Sequence, residues 1–308
     1  MADQKLDNLL NLALDSTDEE REKSGNLNIG YEEHSGNWDV IVKYSGNTEA
    51  LSGKRIRAVP LLGGYAVVNL PEEEIQEFAS RSQIEFIEIP KRLYFQVNQA
   101  LDAACIRPVQ EGYFPGAAQT GNTTGRLPGQ ITGNISGGLS GLSGKGVLVG
   151  IVDSGVDWRH PDFRNEDGTS RILGLWDQSA QPEPGQNPPK GYLRGVEYTG
   201  EEINRALSLP DQEGDFLVRE RDLSGHGTSV LGIAAGNGRA SGGVNRGAAY
   251  ASDIVAVKMG IPGENSFPRT VELMEGVDYL IRQAQILGKP MALNVSFGNN
   301  YGSHEPYN

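Results

Sequence analysis

The sequence predicts an α/β chain in two unequal parts, a small α+β unit followed by a parallel sheet with helices on both faces. Three observations carry this expectation. Continuous apolar runs at Val147–Val152, Ile254–Met259 and Met291–Phe297 mark strands buried on both sides. Between the last two runs, Leu273, Met274, Val277, Leu280, Ile281, Ala284 and Leu287 recur at helical spacing, so strand, helix and strand imply a right-handed crossover. Upstream, shorter alternating segments are split by turn residues, which suits half-buried strands.

The elements follow in order. Residues 3–23 read as two short helices, the first with Leu6, Leu9, Leu10, Ala13 and Leu14 on one face, the second opened by the capping box Thr17–Glu20. The first 33 residues hold nine acids and three bases, so this arm is expected to be solvated apart from its docking stripe. Trp38–Tyr44 (WDVIVKY) alternates as a half-buried strand should. Arg57–Pro60 and Tyr65–Leu70 are further strands split by Gly63-Gly64. Pro71–Ser80 places Pro and three acids in a helix's first turn, and Ile84–Ile89 closes the unit. Residues 1–96 therefore form the first unit, 97–145 a Gly/Ser/Thr-rich linker, and 146–308 the second.

Composition narrows the function. The 308 residues carry a formal net charge of −13, with pI near 4.8 and mean hydropathy −0.41. Such a surface repels phosphate backbones, so nucleic acid is not an expected partner. No run approaches the roughly 20 apolar residues of a spanning helix, so no membrane is expected either. The single cysteine, Cys105, forms no intrachain disulfide and reads as a small core hydrophobe. The acidic N-terminus is unlike a signal peptide, and a cytoplasmic location is expected. The four histidines lack metal-ligand spacing, so neither metal nor other cofactor is expected. In an intracellular chain the glycosylation patterns at Asn122 and Asn134 are empty matches.

Two motifs carry chemistry. The first buried strand ends at Asp153-Ser154-Gly155, at the carboxyl edge where parallel sheets place their sites. Asp222–Gly236 (DLSGHGTSVLGIAAG) then sets His226 between two glycines at the start of a helix of small residues. A buried carboxylate accepting from imidazole Nδ1–H fixes the tautomer and makes Nε2 the base. Taken singly, each is more often a turn or a structural histidine.

Together with Gly144–Phe163 (GKGVLVGIVDSGVDWRHPDF) and Leu293–Gly298 (LNVSFG), they resemble the subtilisin-like serine proteases, in the family's order and over about half the chain. The resemblance implies that Asp153 and His226 are the catalytic Asp and His, in the chain order Asp, His, Ser. It also implies that Ser296, Phe297 and Gly298 pair with the backbone of a bound peptide. A narrower likeness, to the clostridial germination proteases of the Csp type, rests on the acidic arm, WDVIVKY, IEIPKRLYF (87–95) and RILGLWDQ (171–178). It implies that residues 1–96 are a prodomain that chaperones folding and stays bound after self-cleavage. Its partners would be that prodomain and a protein or peptide substrate, such as the zymogen of a spore cortex hydrolase, with spore association to match. Self-cleavage is expected between Tyr94 and Asn98.

The chain departs from the family at the nucleophile. The family's Gly-Thr-Ser lies well downstream of the strand ending at Phe297, so these residues are expected to be an N-terminal fragment with an incomplete subtilisin-like sheet. Two other Gly-Thr-Ser triplets, ending at Ser170 and Ser229, lack the family's nucleophile helix. The alternatives to a peptidase are a pseudoprotease of the same fold acting as sensor or scaffold, or an inactive fragment. Among the remaining candidates, His160 reads as a turn residue, His34 and His304 as exposed loop residues, and Gln178–Pro189 as a surface loop bordering the substrate cleft.

Overall fold

The structure, a computed structural model, describes residues 4–24, 26–95, 142–260 and 268–298. Cys105, His304, Asn122, Asn134 and most of the expected linker lie outside these residues.

The first unit is an antiparallel sheet of β1 (Tyr31–Glu32), β2 (Asn37–Tyr44), β3 (Arg57–Leu61), β4 (Tyr65–Pro71) and β5 (Ile84–Glu88). β4 lies along one side of β2 and β3 lies outside it, while β1 and β5 share the other side of β2. The turn from β3 to β4 needs its two glycines. Gly63 and Gly64 have φ of +74° and +73°, and a Cβ at Gly64 would sit 2.9 Å from the Tyr44 carbonyl oxygen. Helices α1 (Asn8–Asp15), α2 (Asp18–Lys23) and α3 (Ile75–Ser80) complete the unit, and Thr17 and Glu20 form the expected capping box on α2. Pro71 ends β4, and a 3-10 turn over Glu72–Glu74 precedes α3, so the expected helix starts later. Leu6, Leu10 and Ala13 bury against Trp38, Val40, Phe78 and Ile87, so the arm's apolar stripe is part of this core.

After β6 (Tyr94–Phe95) the second unit has β7 (Leu148–Asp153), β8 (Ile172–Asp177), β9 (Val196–Thr199), β10 (Asp253–Lys258), β11 (Met291–Val295) and β12 (Phe297–Gly298). The sheet order is β11-β7-β10-β8-β9, parallel except for β9. Its helices are α4 (Gly200–Leu207), α5 (Asp211–Leu217), α6 (His226–Ala235) and α7 (Thr270–Leu287). One face of the sheet packs Val149, Ile151, Leu175 and Ile254 against Leu231 and Ala235 of α6. The other packs Leu148, Val152, Trp176 and Val255 against Tyr279 and Leu280 of α7.

The two units are docked over α7, and this corrects two sequence expectations. β2 is not half-buried: Ile41, with Val59, Leu61 and Val67, joins the cluster around Val271, Tyr279 and Leu280. Such burial stabilises by about 1.5–3 kcal/mol per side chain. On α7 the buried residues are Val271, Glu272, Glu275, Gly276, Asp278, Tyr279 and Leu280, whereas Ile281 and Leu287 of the expected stripe are exposed. The acids are buried because they meet the first unit or its neighbours. Asp278 Oδ1 accepts from Leu62 N at 2.9 Å, and Asp278 Oδ2 accepts from Tyr192 Oη at 2.7 Å and from Arg282 Nε at 2.7 Å. Asp39 accepts from Arg269 at 2.8 Å and lies 3.5 Å from Arg194, which also reaches Glu272. Burial raises the pKa of Asp39, but the charges of Arg194 and Arg269 lower it further, to below the usual carboxylate range. Lys91 and Thr270 exchange backbone and hydroxyl hydrogen bonds, and Leu93 N donates to Pro268 O at 2.8 Å.

Candidate active site

Asp153 is the last residue of β7 and 1% exposed. Gly225, at φ +72°, turns the chain into α6 and makes His226 its first residue. Imidazole Nδ1 lies 2.7 Å from Asp153 Oδ1. With the proton on Nδ1 the ring donates to the carboxylate, and Nε2 becomes the basic nitrogen. The close approach of α6 to β7 depends on Gly227. A Cβ there would stand 2.2 Å from the Gly155 carbonyl oxygen and 3.0 Å from Asp153 Cβ.

A second carboxylate fastens the two elements. Asp222 Oδ1 accepts from Ser154 Oγ at 2.8 Å and Gly225 N at 3.0 Å, while Oδ2 accepts from Thr228 N at 2.8 Å and Thr228 Oγ1 at 2.7 Å. Ser154 Oγ in turn accepts from Gly227 N at 3.0 Å. Partial burial raises the pKa of Asp222, but the hydrogen bonds from Thr228, Ser154 and Ser224 more than offset this and leave it low. Asp222 is not among the residues that the sequence motifs single out for chemistry. Its readable signal is an acid just ahead of a helix start, where it can satisfy unpaired N–H groups.

Beneath this loop Glu220 is fully buried, accepts from Val156 N at 3.2 Å and lies 3.9 Å from Lys258. Burial outweighs the lysine and pushes its pKa up to about 8.

β11 pairs with β7 so that Val295 faces Val152, the residue before Asp153. Ser296–Gly298 therefore leave the sheet at the edge where Asp153 sits. There β12 pairs antiparallel with β6, Phe297 opposite Phe95 and Gly298 opposite Tyr94. Ser296 is not part of either strand, and its Oγ accepts from Asn294 Nδ2 at 2.9 Å.

The other candidates have structural uses. Ser229 Oγ donates to Gly225 O at 2.7 Å, back along its own helix. Ser170 is buried, and its Oγ accepts from Ile172 N at 2.9 Å. His160 Nδ1 accepts from Asp162 N at 3.2 Å and caps a 3-10 turn, as expected, and His34 is exposed. The loop after β8 leaves the sheet at the carboxyl edge shared by Asp153, beside Lys258, and reaches the first unit. Ala180, Gln181 and Pro182 line a cavity of about 460 Å³ with Tyr31, Asp39 and Arg57, so they border the first unit. Among the described residues, no group of three or more His, Cys, Asp or Glu is placed to hold a metal ion, and no helix is long and apolar enough to cross a membrane.

The doubly covered parallel sheet, with an Asp–His pair at its carboxyl edge, is the arrangement of one class of hydrolase. The chain belongs to the subtilase family, whose model matches residues 144–307, just over half of it. Ahead of that, residues 4–91 match the Csp protease B prodomain. Curated relatives include the major intracellular serine protease of Bacillus subtilis (strain 168), 27% identical over 143 residues, which are 46% of this chain and 33% of that protein. Another is the subtilisin-like protease SBT3.8 of Arabidopsis thaliana, 34% identical over 103 residues, 30% of this chain and 12% of the relative. The chain thus spans a third or less of these relatives' length. Among solved structures, the Clostridium perfringens CspB protease is 35% identical with a TM-score of 0.44, covering 53% of this chain and 31% of that one. Fervidolysin from Fervidobacterium pennivorans is 16% identical with a TM-score of 0.43, covering 87% and 36%.

Proposed function

We propose that the protein is a serine endopeptidase in which Asp153 orients His226 and His226 takes the proton of a serine carried by the rest of the subtilase domain. The 2.7 Å contact between Nδ1 and the buried Asp153 carboxylate carries this reading, because it fixes the tautomer a general base needs. As the serine attacks a peptide carbonyl, its proton passes to Nε2, and the resulting imidazolium is stabilised by Asp153. That proton then goes to the leaving amine. The peptide adds as a strand against Ser296–Gly298, and the pairing of Tyr94–Phe95 with Phe297–Gly298 supports this mode. The same pairing supports self-cleavage between Tyr94 and Asn98 as the first turnover. The later substrate is a protein precursor, in keeping with a Csp-type prodomain, and a spore cortex hydrolase zymogen fits that description.

Intact-mass measurement of the full-length protein tests the proposal. Wild type is expected to yield a new N-terminus in that window. His226→Ala is expected to stay uncut, and Asp153→Asn to cut more slowly by several orders of magnitude. Equal processing in wild type and His226→Ala refutes the assignment. An uncut wild type refutes the self-cleavage reading and favours a pseudoprotease.

A further inference from the structure

At the edge of the second sheet opposite Asp153, a cavity of about 730 Å³ opens between the start of β7, the segment before β8 and the loop after α6. Lys145, Arg164, Arg171, Arg239 and Arg246 line it. In a chain of 40 acids and 27 bases, these five cations have no carboxylate within ion-pair distance among the described residues, although most other arginines there do. Arg171 is buried and spends its donors on carbonyl oxygens of Asp162, Ala235 and Ser252. Arg239 likewise reaches the carbonyls of Asn165 and Glu166. Those bonds satisfy the N–H groups, and Asp253 and Asp162 for Arg171 and Asp167 for Arg239 offset the charges only from beyond ion-pair distance. Arg164 Nε is buried without a hydrogen-bond partner, and Arg246 lies over the Tyr250 ring at 5.1 Å.

The two acids in the lining do not balance this charge. Asp253 is already paired with Lys289, and Glu166 is exposed. Arg164 feels its cationic neighbours, while Arg171 is shifted by burial alone. Burial, then the charge of Arg159 outside the cavity and that of Arg239 within it, lowers the pKa of Arg164 against the opposing charges of Asp157 and Asp211. Burial lowers that of Arg171 to about 10 against the opposing charges of Asp253 and Asp162.

The geometry points to this cavity as a binding site for a small organic or inorganic anion with two or more negative charges on phosphate or carboxylate oxygens. Arg246 and Lys145 reach the cavity from separate loops, and a guanidinium such as that of Arg246 matches such oxygens in bidentate fashion, while Arg171 and Arg239 contribute charge rather than donors. The rest of the molecule favours a small ligand over a polyanionic chain. A surface of net charge −13 repels an extended polymer, while a concave cluster of cations concentrates a compact anion. The site is separate from the peptide edge, so occupation there stabilises the second unit without competing with a substrate.

Calorimetric titration of the purified chain with pyrophosphate and with citrate, at constant ionic strength, tests the inference. At least one of them is expected to bind one-to-one and saturate below about 1 mM, the affinity range of a few charge-assisted bonds. The one that binds more tightly identifies the oxyanion. Arg239→Gln/Arg246→Gln should weaken binding at least tenfold. Lys145→Gln, which changes an exposed lining side chain, should weaken it severalfold if the double variant does not fold. Lys190→Gln, an exposed lysine outside the cavity, should leave it unchanged. Absence of saturable binding of either anion, or equal weakening by Lys190→Gln, overturns it.

Discussion

Replacing Asp39 with Asn removes one charge from a buried cluster of five. Asp39 comes from β2, and Arg194, Arg269, Glu272 and Glu275 come from the second unit. If every group is ionised, three acids face two arginines. Arg194 Nε is 3.1 Å from Glu275 Oε2, yet neither atom makes a well-angled hydrogen bond. Burial, only partly offset by Arg194, pushes the pKa of Glu275 up to about 7. Below that pH the cluster therefore balances as two acids and two arginines, with Glu275 protonated. Asn at position 39 then leaves an unpaired buried guanidinium, which costs about 3–5 kcal/mol. Glu275 partly compensates by ionising at a lower pH than in wild type. Where the variant has lost that proton and the wild type has kept it, the deficit shrinks by about 1.4 kcal/mol per pH unit. The sign follows from proton counts: the folded wild type holds a proton that its unfolded chain releases, so its stability falls as pH rises toward about 7. Urea unfolding followed by fluorescence of buried Trp38 and Trp176 reads both units. The expected loss is about 3–5 kcal/mol at pH 5.5 and roughly 2 kcal/mol smaller at pH 8. A loss that is equal at both pH values, or below about 1 kcal/mol at pH 5.5, refutes the charge balance.

Three further outcomes are expected. Gly227→Ala puts a Cβ 2.2 Å from the Gly155 carbonyl oxygen, and urea unfolding should show a loss of roughly 1–3 kcal/mol, with self-cleavage of the full-length protein slowed as α6 moves. Glu220, with its pKa near 8, costs the wild type stability as pH rises from the carboxylate range to that value; Glu220→Gln should match or exceed wild type at pH 7, and its advantage should grow toward pH 8 in thermal unfolding. Ser229→Ala removes only a hydrogen bond along α6, so stability should change by about 0.5 kcal/mol or less and self-cleavage should continue at the wild-type rate.

What was readable in the sequence follows from what a pattern encodes. The apolar runs of β7 and β10 announce a doubly covered sheet because both of their faces meet helices of the same unit, whereas β11, with the same kind of run, is an edge strand whose Leu293 and Val295 are exposed, contrary to the expectation of burial on both sides. Asp153 and His226 were legible because short glycine-bearing motifs fix backbone geometry locally. The burial of Glu272, Glu275 and Asp278 was not. On a helix such acids read as a solvated face, and only the docking of the first unit, bringing Asp39 and the Leu62 N–H, converts that face into an interface. The contact of Ala180, Gln181 and Pro182 with the first unit was hidden for the same reason, since composition marks the Gln178–Pro189 loop as surface but not which surface. Asp222 was missed because its five hydrogen bonds come from four residues in two stretches of chain, Ser154 and 224–228, and local spacing records only the second.

The β6–β12 pairing has a consequence for any molecule that competes for the same edge. Tyr94–Phe95 arrives there on a short tether from β5, and the sheet that holds the tether is clamped over α7. The two attachments act as one bivalent ligand, and the strand meets its edge at an effective concentration in the millimolar range rather than at the protein's own. A free peptide of equal intrinsic affinity, present at micromolar levels, is thus outcompeted by roughly a thousandfold. Cutting the chain beyond Phe95 would not change that ratio, because the connection that sets it runs through Glu88–Leu93, on the other side of the strand.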